Sequence, residues 1–176
     1  MGKRLDCHER ALRLLSVRPR SRRELELRLR GAGFEIDEVE AELARLEAVG
    51  LVDDEAFARA VVEHELTVRR SGRRAVGSRL AARGVDRATI DAALQEATGP
   101  GDEDRALELA RSRVSRLAGV GPEQAFTRLV GFLARRGYEP TVARAAARHA
   151  LGIHAAGEGA RPPLLPQRGG RRTLAP

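Results

Sequence analysis

The chain has 176 residues and a formal net charge of +7; 42% of it is hydrophobic, only 3% is aromatic, and Trp is missing. A core limited to Leu, Val and Ala favours thin helical layers over a sandwich or barrel, and a pI near 11.1 draws the chain to polyanions in a salt-sensitive way. The single cysteine, Cys7, rules out an intrachain disulfide, and no run approaches the ~18 apolar residues of a membrane span or reads as a signal peptide. The expectation is a cytoplasmic protein with no membrane partner.

In chain order, Leu5 to Val17 reads as a helix with Leu12 and Leu15 on one face, stopped by Pro19. Ser21-Arg22-Arg23-Glu24 is a capping box, in which Ser takes the N3 amide and Glu reaches back to the cap. It opens a second helix with Leu25 and Leu29, closed by Gly31 and Gly33. From Glu35 to Val49 the residues Ile36, Val39, Leu43 and Leu46 recur with helical spacing, and Gly50 ends the run. Asp53 or Asp54 caps a fourth helix with Phe57, Val61 and Leu66, broken near Gly72. Val76 and Leu80 mark a fifth, ending at Gly84. Asp86 caps a sixth with Ile90 and Leu94, and Gly99-Pro100-Gly101 is a turn. Leu107, Ala110, Val114 and Leu117 predict a seventh. Pro122 and Pro140 suit the first turns of an eighth, with Phe126, Val130 and Leu133, and a ninth, with Val142 and Ala146. No strand is predicted. After Ala155, Gly, Pro and Arg dominate and periodicity is lost, so 155–176 reads as a disordered basic tail.

A repeat emerges from these elements. Each middle helix ends in Leu, three residues, Gly and an apolar residue: Leu29-Gly33-Phe34, Leu80-Gly84-Val85 and Leu133-Gly137-Tyr138. A left-handed glycine after the helix lets the next apolar residue fold back onto the last turn. The near-constant spacing predicts an all-α chain of three tandem three-helix repeats in an elongated, curved array, over 1–52, 53–99 and 100–154.

Charge is segregated. From Glu35 to Glu55 only Arg45 interrupts the acids, whereas Leu66 to Ala88 carries Arg69, Arg70, Arg73, Arg74, Arg79, Arg83 and Arg87 against Asp86 alone. Arg22, Arg23 and Arg28 lie in the first middle helix, and Arg135 and Arg136 end the third. The middle helices are thus the basic ones, and stacking them would align a positive stripe for phosphates or carboxylates. Phe34, Phe57, Phe126 and Tyr138 sit at core positions of the repeat, which argues against a base-stacking reader.

The usual signatures of chemistry are missing. The four histidines are scattered, Cys7-His8 has no companions at metal-ligand spacing, and Lys3, the sole lysine, stands outside any phosphate-binding loop. Asp53-Asp54 falls where carboxylates offset a helix dipole. No catalytic residue, metal or cofactor is expected.

With these features the chain resembles the RecX family from about Ala11 to Ala150. The resemblance rests on Ala11-Leu12-Arg13-Leu14-Leu15, on Arg18 to Leu25, and above all on Gly50-Leu51-Val52-Asp53-Asp54-Glu55-Ala56-Phe57-Ala58. Arg70-Ser71-Gly72-Arg73-Arg74, Arg83-Gly84-Val85 and Leu133-Ala134-Arg135-Arg136-Gly137-Tyr138 continue it. It implies a non-enzymatic monomer that binds the filament of the RecA recombinase on single-stranded DNA and inhibits its ATPase and strand exchange. Double-stranded DNA is a second candidate ligand. Arg22, Arg23, Arg28, Arg69, Arg70, Arg73, Arg74, Arg79, Arg83, Arg135 and Arg136 are the expected filament- or DNA-binding residues. The competing reading is a general DNA-binding or transcription-regulating helical protein.

Overall fold

A computed structural model describes residues 6–153, so the expected tail lies outside the described residues. Within them there is no strand. The helices are α1 (Cys7–Val17), α2 (Arg22–Arg30), α3 (Ile36–Ala48), α4 (Asp54–Thr67), α5 (Arg73–Ala82), α6 (Arg87–Glu96), α7 (Asp102–Val114), α8 (Pro122–Arg135) and α9 (Pro140–Leu151). A 3-10 turn, Ser115–Leu117, follows α7.

Local chemistry sets the boundaries. Asp6 and Glu9 form a capping box that starts α1 at Cys7, two residues later than expected. At α2 the Glu24 amide donates to Ser21 Oγ at 3.1 Å, and Ser21 N–H donates to Glu24 Oε2 at 3.3 Å. Of the two candidate aspartates before α4, Asp53 is the cap, accepting from the Ala56 amide at 2.9 Å. Asp86 caps α6 in the same way, and Pro122 and Pro140 open α8 and α9.

Each run of three helices closes on its own cluster. Ala11, Leu25, Leu29, Val39, Leu43 and Leu46 belong to the first; Phe57, Val62, Val76, Leu80 and Ile90 to the second; Ala106, Leu129, Leu133, Tyr138 and Ala143 to the third. Within each unit the first and third helices pack beside each other, most extensively for α7 and α9. Leu29, Leu80 and Leu133 have no exposed surface, and truncating any of them to Ala would cost roughly 2–5 kcal/mol.

The three middle helices end alike. Gly33, Gly84 and Gly137 have φ of +90°, +80° and +84°. The following amide donates back to the repeat leucine: Phe34 to Leu29 O at 3.4 Å, Val85 to Leu80 O at 3.2 Å and Tyr138 to Leu133 O at 3.2 Å. This is the bond pattern that left-handed glycine produces. The beginnings differ. Counting back from the glycine, Ser21 and Gly72 are N-caps, whereas Ala125 lies inside α8, which starts a turn earlier at Pro122.

Several expected core positions move by one residue. α1 buries Cys7 and Ala11, with Leu14 and Leu15 partly covered, and leaves Leu12 exposed. Ile36 is 51% exposed because it begins its helix at a free end, although the periodicity placed it inside. Val62 is buried where Val61 was expected. In α7 the buried apolar set is Ala106, Leu109 and the expected Ala110, while Leu107 and, in the 3-10 turn beyond the helix, Leu117 pack against it partly covered. Phe57 and Tyr138 are buried, but Phe34 and Phe126 are only partly so.

Cβ atoms built on Gly84 and Gly137 would overlap the side chains of Arg23 and Ala75 from the preceding unit, while one on Gly50 (φ +70°) would meet open space. Gly50→Ala should therefore lose only about 1 kcal/mol for its backbone conformation. Gly137→Ala should lose at least about 3 kcal/mol, because strain and overlap combine. Urea denaturation of the two variants checks this difference.

Candidate functional site

The units meet at helix ends, not along helix flanks, and the two joints share one plan. At the first, Ser21 Oγ donates to the Arg83 carbonyl at 2.5 Å, and the Arg22 amide donates to Asp54 Oδ1 at 2.8 Å. At the second, the Gly72 amide donates to the Arg136 carbonyl at 2.8 Å, and the Arg73 amide donates to Asp102 Oδ2 at 3.2 Å. In both, the N-terminus of one middle helix meets the C-terminus of the next. The first helical residue of the following unit, Asp54 or Asp102, supplies a carboxylate to a free N–H. Helix starts leave such amides unpaired and helix ends leave such carbonyls, so each end completes the other.

The side chains around the joints differ. At the first, Glu24 accepts from Arg18 at 2.9 Å and from Arg83 at 2.8 Å, while the Arg83 guanidinium lies 4.1 Å from the Phe57 ring centre. Burial opposes the Glu24 charge, but hydrogen bonds from Arg18 and Arg83 outweigh it and bring the carboxyl down to about 2. Burial pushes Asp54 the other way, with Glu47 and Asp86 adding to the rise. At the second joint, Tyr138 donates its hydroxyl to the Arg70 carbonyl at 2.8 Å and Arg136 donates to the Arg69 carbonyl at 2.6 Å. Arg105, buried, bonds Asp102 and the Pro100 carbonyl. The backbone at Arg70 has φ +50°, held by these contacts.

The eleven expected arginines divide between these joints and the surface. Arg83 and Arg136 are joint residues, and Arg73 reaches back to the Leu94 carbonyl inside its own unit. Arg79 bonds the buried Glu65 and Ser71, and Arg22 clamps Glu40 at 2.6 Å and Glu47 at 2.9 Å. Arg23 pairs with Glu26 at 2.7 Å yet stays half exposed; Arg69 and Arg70 make long pairs, 3.6 Å to Glu65 and 3.8 Å to Glu108. Arg28, Arg74 and Arg135 are exposed with no ion pair among the described residues. The structure therefore does not gather all eleven into one surface. The three open ones come one from each middle helix and leave their guanidinium groups exposed to solvent.

Sequence reasoning missed Glu24, Asp54, Asp102, Arg105 and Tyr138 as joint residues. A signal was present for the caps, since Ser21 and Gly72 lie twelve residues before their repeat glycines, whereas Asp54 and Asp102 match only in opening α4 and α7. Cys7 is chemically quiet, its thiol pushed up to about 11 by burial and by Glu38, Glu42 and Asp6. Among the described residues no group of three or more His, Cys, Asp or Glu could hold a metal, and no helix is long and apolar enough to cross a membrane.

Fold and site together define a tandem three-helix protein that presents arginines from its middle helices. Residues 7–46 match the family description "RecX, first three-helix domain" and residues 53–94 match "RecX, second three-helix domain". Over 138 residues the chain is 41% identical to "Regulatory protein RecX" of Mycolicibacterium vanbaalenii, covering 75% of each chain. Over 140 residues it is 37% identical to the protein of that name from Streptomyces coelicolor, covering 80% of this chain and 74% of the relative. The chain belongs to the RecX family. The crystal structure of RecX from Lactobacillus salivarius shares the fold, with a TM-score of 0.72 at 19% identity over 82% of this chain and 94% of that one.

Glu24 makes the first joint sensitive to acid. Its folded value is depressed below the ~4.3 of an unfolded chain, so its contribution is complete above that value and is lost as pH falls toward about 2. Between about pH 5 and pH 2, wild-type stability should fall more steeply than that of Glu24→Gln, as read from urea midpoints.

Proposed function

We propose that this protein binds the RecA–single-stranded DNA filament and restrains its ATPase and strand exchange. Its three units, 1–52, 53–99 and 100–154, would lie along the filament. Membership in a family of regulatory proteins supports the reading, and the observation that carries it is that every middle helix has an open arginine, Arg28, Arg74 and Arg135 among them. Their forks suit phosphates and carboxylates. Arg23, Arg69 and Arg70 flank them and can exchange weak surface pairs for stronger ones on a partner. Arg22, Arg73, Arg79, Arg83 and Arg136 act through the joints and cores that set the spacing of the units. Monomeric action in the cytoplasm without a cofactor completes the proposal.

ATP hydrolysis by the recombinase on single-stranded DNA, measured with substoichiometric protein, tests it. Inhibition is the expected outcome. Unchanged hydrolysis together with salt-dependent DNA binding would instead favour a general DNA-binding protein. Replacing Arg28, Arg74 and Arg135 by Ala should weaken inhibition while leaving thermal stability within roughly 0.5 kcal/mol, since none is buried. If all three touch single-strand phosphates, the salt dependence of log K should flatten by about 2 in slope. Replacing Arg73, Arg83 and Arg136 should lower stability first.

A further inference from the structure

The first joint leaves a groove of about 590 Å³, of whose lining the proposed filament contacts use only Arg69. Its apolar lining is Pro19 from the first unit and Ala60 and Val61 from α4, with Phe57, 6% exposed, beneath the Arg83 guanidinium. Its rim carries Arg18, Arg69, Arg83 and His64. The one carboxylate in the lining is Glu65, buried and already held by Arg79 and Ser71. Glu24 engages Arg18 and Arg83 from behind, but the Arg18 and Arg69 side chains remain 43% and 60% exposed. Each guanidinium has five N–H donors, so both keep donors turned to solvent.

We infer that this groove docks a peptide segment carrying an apolar side chain between carboxylates. An apolar floor of this size suits one or two aliphatic or aromatic side chains, and the rim supplies the opposite charge to flanking acids. A phosphodiester backbone fits less well, because it has nothing to place on Pro19, Ala60 and Val61. The open arginines Arg28, Arg74 and Arg135 serve it better.

The repeat explains why the groove forms here. Arg69 stands to Gly72 as Arg18 stands to Ser21, but the second joint has Arg105 where the first has Phe57 and Tyr138 where it has Val85. Tyr138 spans the second joint with its hydroxyl, whereas Val85 cannot span the first. Because Arg18 and Pro19 belong to the first unit and the other lining residues to the second, a docked peptide bridges the joint and fixes its angle.

The test is an NMR titration of the full chain without recombinase, so its outcome is independent of the filament-binding proposal. Four probes are compared: a hexapeptide with Phe and Leu flanked by Asp and Glu, the same peptide with Ser for Phe and Leu, a version with Lys for the acids, and an oligo(dT) strand. The first peptide should shift the amides of Ala60, Val61 and His64 saturably, and its affinity should fall roughly tenfold in Ala60→Trp and in Arg69→Glu. Ala60 and Arg69 are exposed, so both variants should fold; if Ala60→Trp does not, Arg69→Glu decides. Equal binding of the Ser peptide, the same shifts with oligo(dT), or no saturable shift up to ~1 mM would overturn the inference.

Discussion

Everything in this molecule depends on the meeting of helix ends. A middle helix finishes with a left-handed glycine, its last carbonyls point outward, and the N-terminus of the preceding middle helix lands on them. Unpaired amides and unpaired carbonyls are the two standing debts of any helix, and here each end settles the other's. The dipoles of the paired helices also run head to tail, a favourable arrangement that salt screens only where water reaches it. The glycine is indispensable twice over: its φ of about +80° excludes most side chains, and the incoming helix occupies the space a Cβ would need.

That constraint explains why small cores suffice. No unit has a large cluster, and each is built mainly from Leu, Val and Ala. Stability is shared through nearest neighbours, as expected for an array in which each repeat touches only the next. The two joints use different chemistry to the same end. The first centres on the partly exposed Glu24 between two arginines; the second combines backbone hydrogen bonding, a tyrosine hydroxyl and close glycine packing with the buried Arg105–Asp102 pair. The first should therefore yield to salt and acid before the second.

Much of the fold was legible in the sequence because helix punctuation is local. Ser21 with Glu24, Asp86, Pro122, Pro140 and the three repeat glycines act within a few residues of where they stand, and each was found where expected. What failed was one-residue phasing. Leu12 and Val61 satisfy a 3–4 spacing, but a short helix can turn by one position and bury Ala11 or Val62 with equal ease, whereas Ile36 keeps the phase of buried Val39 and Leu43 and is exposed because it opens its helix. The site was less legible for a different reason. Arg74 and Arg73 are neighbours with the same chemistry, yet one is exposed and the other bonds the Leu94 carbonyl, because contacts 21 residues apart decide the matter. Sequence gave the density of positive charge on the middle helices; only packing separates arginines that hold the chain together from those free to meet a partner.

The early start of α8 has a consequence for how such a chain can grow. In the first two units the residue twelve before the glycine presents a free donor to its successor; in the third that residue is Ala125, whose amide is spent on Gly121 within its own helix, and the turn added ahead of it begins with a proline that has no N–H to offer. The start of α8 therefore cannot repeat the donor that Ser21 and Gly72 supply, and a further middle helix stacked on it would have to draw its hydrogen bonds from the Glu123 and Gln124 amides instead.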